Sequence, residues 1–63
     1  MKTGVVKFFS EEKGYGFITI DGGWGDVFAH ISEVKDEIKE RDRVSFEIEE
    51  EKNRQKAINV KLL

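Results

Sequence analysis

The sequence predicts an all-β protein, a small five-stranded antiparallel barrel, and three observations carry that reading. Five short runs alternate apolar and polar residues with the period of 2 expected of half-buried strands. Only one stretch, Ser32 to Arg43, has helix-like spacing, and it is too short to be a stable free helix. All six glycines lie within the first 25 residues and proline is absent, so no segment reads as a linker and the chain is expected to form one compact unit.

Thr3 to Phe9, rich in β-formers, is the first expected strand, and it ends in the polar turn Ser10-Glu11-Glu12. Tyr15 to Ile20 is the second, with Tyr15, Phe17 and Thr19 on one face and Ile18 and Ile20 on the other. Asp21-Gly22-Gly23-Trp24-Gly25 is a glycine-rich hairpin connection. The third strand follows over Asp26 to Ile31, with Phe28 and His30 opposite Val27 and Ala29. One or two helical turns are expected after it, with Ser32 as N-cap and Val34 and Ile38 four apart on the apolar side. Val44, Phe46 and Ile48 alternate with Ser45, Glu47 and Glu49 in a fourth strand with a wet acidic face. After a turn at Glu50 to Gln55, Ile58, Val60 and Leu62 alternate with Ala57, Asn59 and Lys61 in the fifth. Five short strands with an irregular connection between the third and fourth match an OB-type barrel, whose second and third strands commonly form an oligonucleotide face.

Composition narrows the function. A chain of 63 residues buries only roughly 60% of the surface that its unfolded form exposes, which leaves little room for a deep catalytic pocket. With no cysteine and one histidine there is neither a disulfide framework nor a thiolate or polyhistidine metal site. No nucleophile and base arrangement or phosphate-cradling loop appears, so no enzyme, no catalytic residue, no small-molecule substrate and no cofactor are expected. Met1-Lys2-Thr3-Gly4 lacks the apolar stretch of a signal peptide and no segment is long enough to span a membrane, so a soluble, cytoplasmic protein without a membrane partner is expected. The formal net charge of −2 argues at first sight against nucleic acid. The acids, however, crowd into the second half, whereas Lys2, Lys7 and Lys13 sit in or beside the first two strands.

Lys13-Gly14-Tyr15-Gly16-Phe17-Ile18 and Asp26-Val27-Phe28-Ala29-His30 are the chemically informative segments. On neighbouring strands their alternation places Tyr15, Phe17, Phe28 and His30 on one face. Because Ile18, Ile20, Val27 and Ala29 already supply the buried face, the rings are expected to be exposed. A row of flat rings beside lysines is how proteins hold unstacked bases. The glycines at 14 and 16 let the strand coil tightly and leave the rings unobstructed.

With these motifs the chain resembles the bacterial cold-shock proteins over essentially its whole length, residues 1–63 as one domain of that kind. Val5-Val6-Lys7-Phe8-Phe9-Ser10 is similar to that family's first strand, and the two aromatic segments are similar to its two ribonucleoprotein motifs. The resemblance implies binding of single-stranded RNA and DNA with a leaning to pyrimidine-rich segments, opening of weak RNA structure as a chaperone, and no catalysis. It assigns binding to Lys7, Phe8, Lys13, Tyr15, Phe17, Phe28 and His30. A monomer is expected.

Departures from the family pattern matter as much. Phe8 stands where a tryptophan is usual, which keeps a stacking face but loses ring area and the indole N–H. Ile31 replaces an aromatic and offers an apolar contact only. The connection after the third strand lacks its customary glycines and phenylalanine, and Val5 replaces a frequent lysine. Secondary candidates are Trp24, flanked by Gly23 and Gly25 and able to stack an extra base, and Arg54 and Lys56 near the last turn. The runner-up reading is a barrel that captures a protein through the same aromatic patch.

Overall fold

The computed structural model describes all residues from Met1 to Leu63. Five strands form a closed barrel in the order β1-β2-β3-β5-β4: β1 Lys2–Ser10, β2 Tyr15–Ile20, β3 Asp26–His30, β4 Arg43–Glu51 and β5 Arg54–Leu62. Four ladders are antiparallel, and the seam that joins β3 to β5 is parallel, at Phe28↔Lys56 and Ala29↔Ala57. That short parallel seam qualifies the wholly antiparallel barrel expected from the sequence. It arises because the chain crosses between β3 and β4 instead of turning back on itself.

The period-2 reading holds where the core is. Val6, Ile18, Ile20, Val27, Ala29, Val44 and Phe46 are buried, and together with Ile38, Ala57 and Val60 they form one cluster. Phe9, Val34 and Ile48 pack against it. A bulge interrupts β1: Val6 pairs with Ile18 and Phe8 with Phe17, so Lys7 is the extra residue. Both Lys7 and Phe8 consequently face out, and Phe9 turns to the core.

A second irregularity changes the phase of β5. Ser45 pairs with Lys61 and Glu47 with Ile58, which leaves Asn59 and Val60 opposite Phe46 alone. Asn59 takes up the extra residue at φ 52°. The expected inward set of Ile58, Val60 and Leu62 is thereby replaced by Ala57 and Val60, three apart, and Leu62 is 44% exposed at the end of the strand. The last turn is also tighter than expected: Lys52 and Asn53, both at positive φ, form the two-residue hairpin and the strands run up to them.

Of the one or two helical turns expected after the third strand, one forms, as a 3₁₀ turn, and it starts a residue earlier than the expected N-cap. It spans Ile31–Glu33, and its cap is His30 rather than Ser32. Val34 is already extended and bridges Val60 in parallel, with Lys35 N–H donating to the Val60 carbonyl at 2.8 Å. Val34 and Ile38 reach the core as that spacing implied, from an irregular strap instead of a helix face. Tertiary pairing overrode local periodicity here. No helix is long and apolar enough to cross a membrane.

Candidate nucleic-acid interface

Four of the five predicted rings come from β2 and β3. Tyr15 pairs with His30 and Phe17 with Phe28 across the ladder, so one register sets all four on the outer face. The bulge in β1 adds Phe8 beside Phe17. The rings touch as a continuous sheet: Phe8 to Phe17 at 5.9 Å and Tyr15 to Phe28 at 5.7 Å are stacked, and Phe17 meets Phe28 at 5.9 Å edge to face. Phe28 to His30 is 6.4 Å with tilted planes. Phe8 and His30 are exposed, while Tyr15, Phe17 and Phe28 are half-buried because they cover one another's edges. Gly16 makes the arrangement possible. A Cβ there would run into the Phe8 carbonyl oxygen and lie 2.7 Å from Phe9 Cδ1, so only glycine lets β1 press against β2.

His30 serves two masters. Its Nδ1 accepts from the Ser32 backbone N–H at 3.1 Å and lies 2.9 Å from Ser32 Oγ. A backbone N–H can only donate, so Nδ1 carries no proton and the ring proton sits on Nε2, at the outer edge. Ile31, 41% exposed, lies against Gly14, whose carbonyl accepts its N–H at 2.9 Å.

The charges on this face are more matched than the sequence suggests. Lys7 Nζ is 3.0 Å from Asp26 Oδ2, and Thr19 Oγ1 donates to Asp26 Oδ1 at 2.8 Å. The Lys7 bond first, then that of Thr19, hold the Asp26 carboxyl below its ordinary value. Asp26 was not among the predicted site residues, although its alternation with Phe28 and His30 already put it on their face. Lys56 lies between Glu49 at 3.6 Å and Glu51 at 3.5 Å, whose charges raise its pKa. Lys13, in the turn closed by Gly14 N–H to the Ser10 carbonyl at 2.7 Å, forms no ion pair.

Beside the rings runs an open groove of about 820 Å³. Phe17, Phe28 and Asp26 form one wall, and the end of the β4–β5 hairpin, Glu51, Lys52, Arg54, Gln55 and Lys56, forms the other. Arg54 and Lys56 are thus brought to the rings, and Lys52 and Gln55 line the same groove. Trp24 does not join the cluster. It stands 73% exposed in the β2–β3 turn with Lys2 Nζ 5.2 Å from its ring centroid.

Known proteins share this barrel. The family model described as the 'Cold-shock' DNA-binding domain matches residues 2–63. The chain is 54% identical over 50 residues to "Cold shock-like protein CspA" of Bordetella pertussis, covering 73% of this chain and 75% of that protein. It is 45% identical over 62 residues to "Cold shock-like protein CspG" of Shewanella violacea, covering 92% and 89%. Among solved structures it is similar to "drosophila Unr CSD456", with a TM-score of 0.81 and 29% identity over 98% of this chain, which spans 26% of that one.

Proposed function

We propose that this chain, which belongs to the cold-shock domain family and is therefore a nucleic-acid binding protein, holds single-stranded RNA and DNA on its ring cluster and acts as an RNA chaperone. The observation that carries the reading is the unbroken contact of Phe8, Tyr15, Phe17, Phe28 and His30 on one outer face. Every base has a π-face, so a row of rings binds unpaired bases with little regard to sequence. Paired bases hide those faces inside the duplex. A protein that binds only the open form shifts weak hairpins towards single strands by mass action, with no hydrolysis and no cofactor.

Each side chain then has a role. Phe17 and Phe28 stack bases, and Phe8 and Tyr15, in contact with each other at 5.8 Å, widen the same patch. His30 offers its Nε2–H to a base carbonyl while its other nitrogen caps the 3₁₀ turn, an arrangement that suits pyrimidine O2 or O4 acceptors. Lys13 and the groove cation Arg54 meet the backbone, while Lys7 and Lys56 do so only by leaving their carboxylates. Ile31 adds an apolar edge. The whole chain works as one monomeric module in the cytoplasm.

The test is a titration of a labelled oligothymidine of about seven nucleotides, followed by fluorescence anisotropy at low and moderate salt. Binding that weakens as salt rises is expected. Absence of binding at low salt would overturn the proposal and turn attention to a protein partner for the same rings.

A further inference from the structure

Trp24 lies outside the ring cluster, and three features fix where it stands. Gly22 and Gly25, at φ 91° and 89°, bend the β2–β3 turn in a way that L side chains rarely follow. The pyrrole edge of the indole rests over Gly22, where a Cβ would be 3.2 Å from both Cδ1 and Nε1. On one ring face sits the Lys2 ammonium, 5.2 Å from the centroid. Trp24 is still 73% exposed, so most of its surface is left in water with a single cation over the ring. A large aromatic surface left in water, yet held by a cation and a glycine bend, is poised for a ligand.

From this we propose that Trp24 and Lys2 form a second stacking site that extends the nucleic-acid path beyond the ring cluster; the inference rests on the single-strand reading above. Trp24 is four residues before Phe28, so their Cα atoms are at most about 14 Å apart. The surface between them is the Thr19 and Asp26 row with Lys7 beside it, polar and on the same outer face. A strand leaving Phe28 crosses that row and meets the indole. Charge chooses the occupant. Lys2 forms no ion pair, so its ammonium can meet the phosphate next to a base stacked on the exposed indole of Trp24.

Trp24 is the single tryptophan, so its emission reports this site alone, while a label on the oligonucleotide reports binding as a whole. Oligothymidines of about four and about ten nucleotides should both bind, and only the longer should quench the tryptophan. Trp24→Ala should weaken the longer oligonucleotide roughly fivefold or more and leave the shorter within about twofold, and Trp24→Phe should restore most of the loss. Because the side chain is exposed, the substitution leaves the core intact. If the longer oligonucleotide binds by anisotropy and emission does not change, or Trp24→Ala binds it as wild type does, the second site does not exist and the ring cluster stands. No binding of either length at low salt overturns both.

Discussion

Gly16 sets the distance at which β1 and β2 meet, and with it the place of Phe8 beside Phe17. Alanine there would force its methyl against the Phe8 carbonyl and the Phe9 Cα, 2.8 Å away, and neither backbone atom can yield cheaply. Gly16→Ala is expected to cost about 1 to 3 kcal/mol, read as a Tm lowered by several degrees, and to disorder Phe8 with it. The rings themselves invite the opposite experiment. Phe17→Ala and Phe28→Ala remove half-buried side chains from an outer face, so circular dichroism should show the fold retained. Affinity for the oligothymidine should fall by about 1 to 3 kcal/mol each, roughly 5- to 150-fold. Unchanged affinity in a folded Phe17→Ala protein would remove the central stacking site from the proposal.

At the scale of elements, legibility followed simple alternation. Tyr15, Phe17, Phe28 and His30 could be put on one face from the sequence because β2 and β3 are regular and paired without a slip. Phe8 was singled out by its resemblance to the family's stacking position, and strict alternation from the buried Val6 would have turned it inward; the bulge at Lys7 reverses that. In β5 the same kind of irregularity went unread: asparagine adopts positive φ more readily than most residues, but that preference alone does not place a bulge inside an alternating strand, and Asn59 sits at φ 52°. The strap from Ile31 to Asp42 was read only in part, as a helical turn and a loop, for a different reason. Val34 and Ile38 have helical spacing, but their partners are Val60 and the barrel core, and such pairing leaves no trace in a short window. The phase change in β5 makes its own prediction. A β-branched residue is poorly accommodated at positive φ, so Asn59→Val should destabilise by about 1 to 3 kcal/mol in urea unfolding, whereas Asn59→Gly should be tolerated. Equal stability of the two variants would mean that the bulge is not held at Asn59.

Across the whole molecule, the question is how a chain with a formal net charge of −2 attracts phosphate. Its ion pairs sharpen the question: Lys7 with Asp26, Arg43 with Asp21 at 2.7 Å, and Lys56 with Glu49 and Glu51 keep several cations occupied. Those bonds also tie stability to pH. Thr3 and then Arg43 hold Asp21 below its ordinary value of 3.8, as Lys7 and Thr19 do for Asp26. A depressed carboxyl contributes stability that is present above its unfolded value and lost as pH falls through the folded one, so Tm should drop below about pH 4. Asp21→Asn should flatten that acid limb, and an unaltered limb would exclude Asp21 as a source. The same pairing sets the electrostatics of binding. Each phosphate met by a free cation contributes about −0.7 to the slope of log K against log salt for a single strand, and Lys7 contributes less while Asp26 holds it. Asp26→Asn keeps the shape and the acceptor for Thr19 but removes the charge that engages Lys7. The variant should therefore bind the oligothymidine with a slope steeper by up to about 0.7, visible in titrations at three or four salt concentrations. A slope that does not move would show that Lys7 remains away from the backbone even when freed, leaving Lys13 and the cations of the β4–β5 turn to carry the phosphate contact alone.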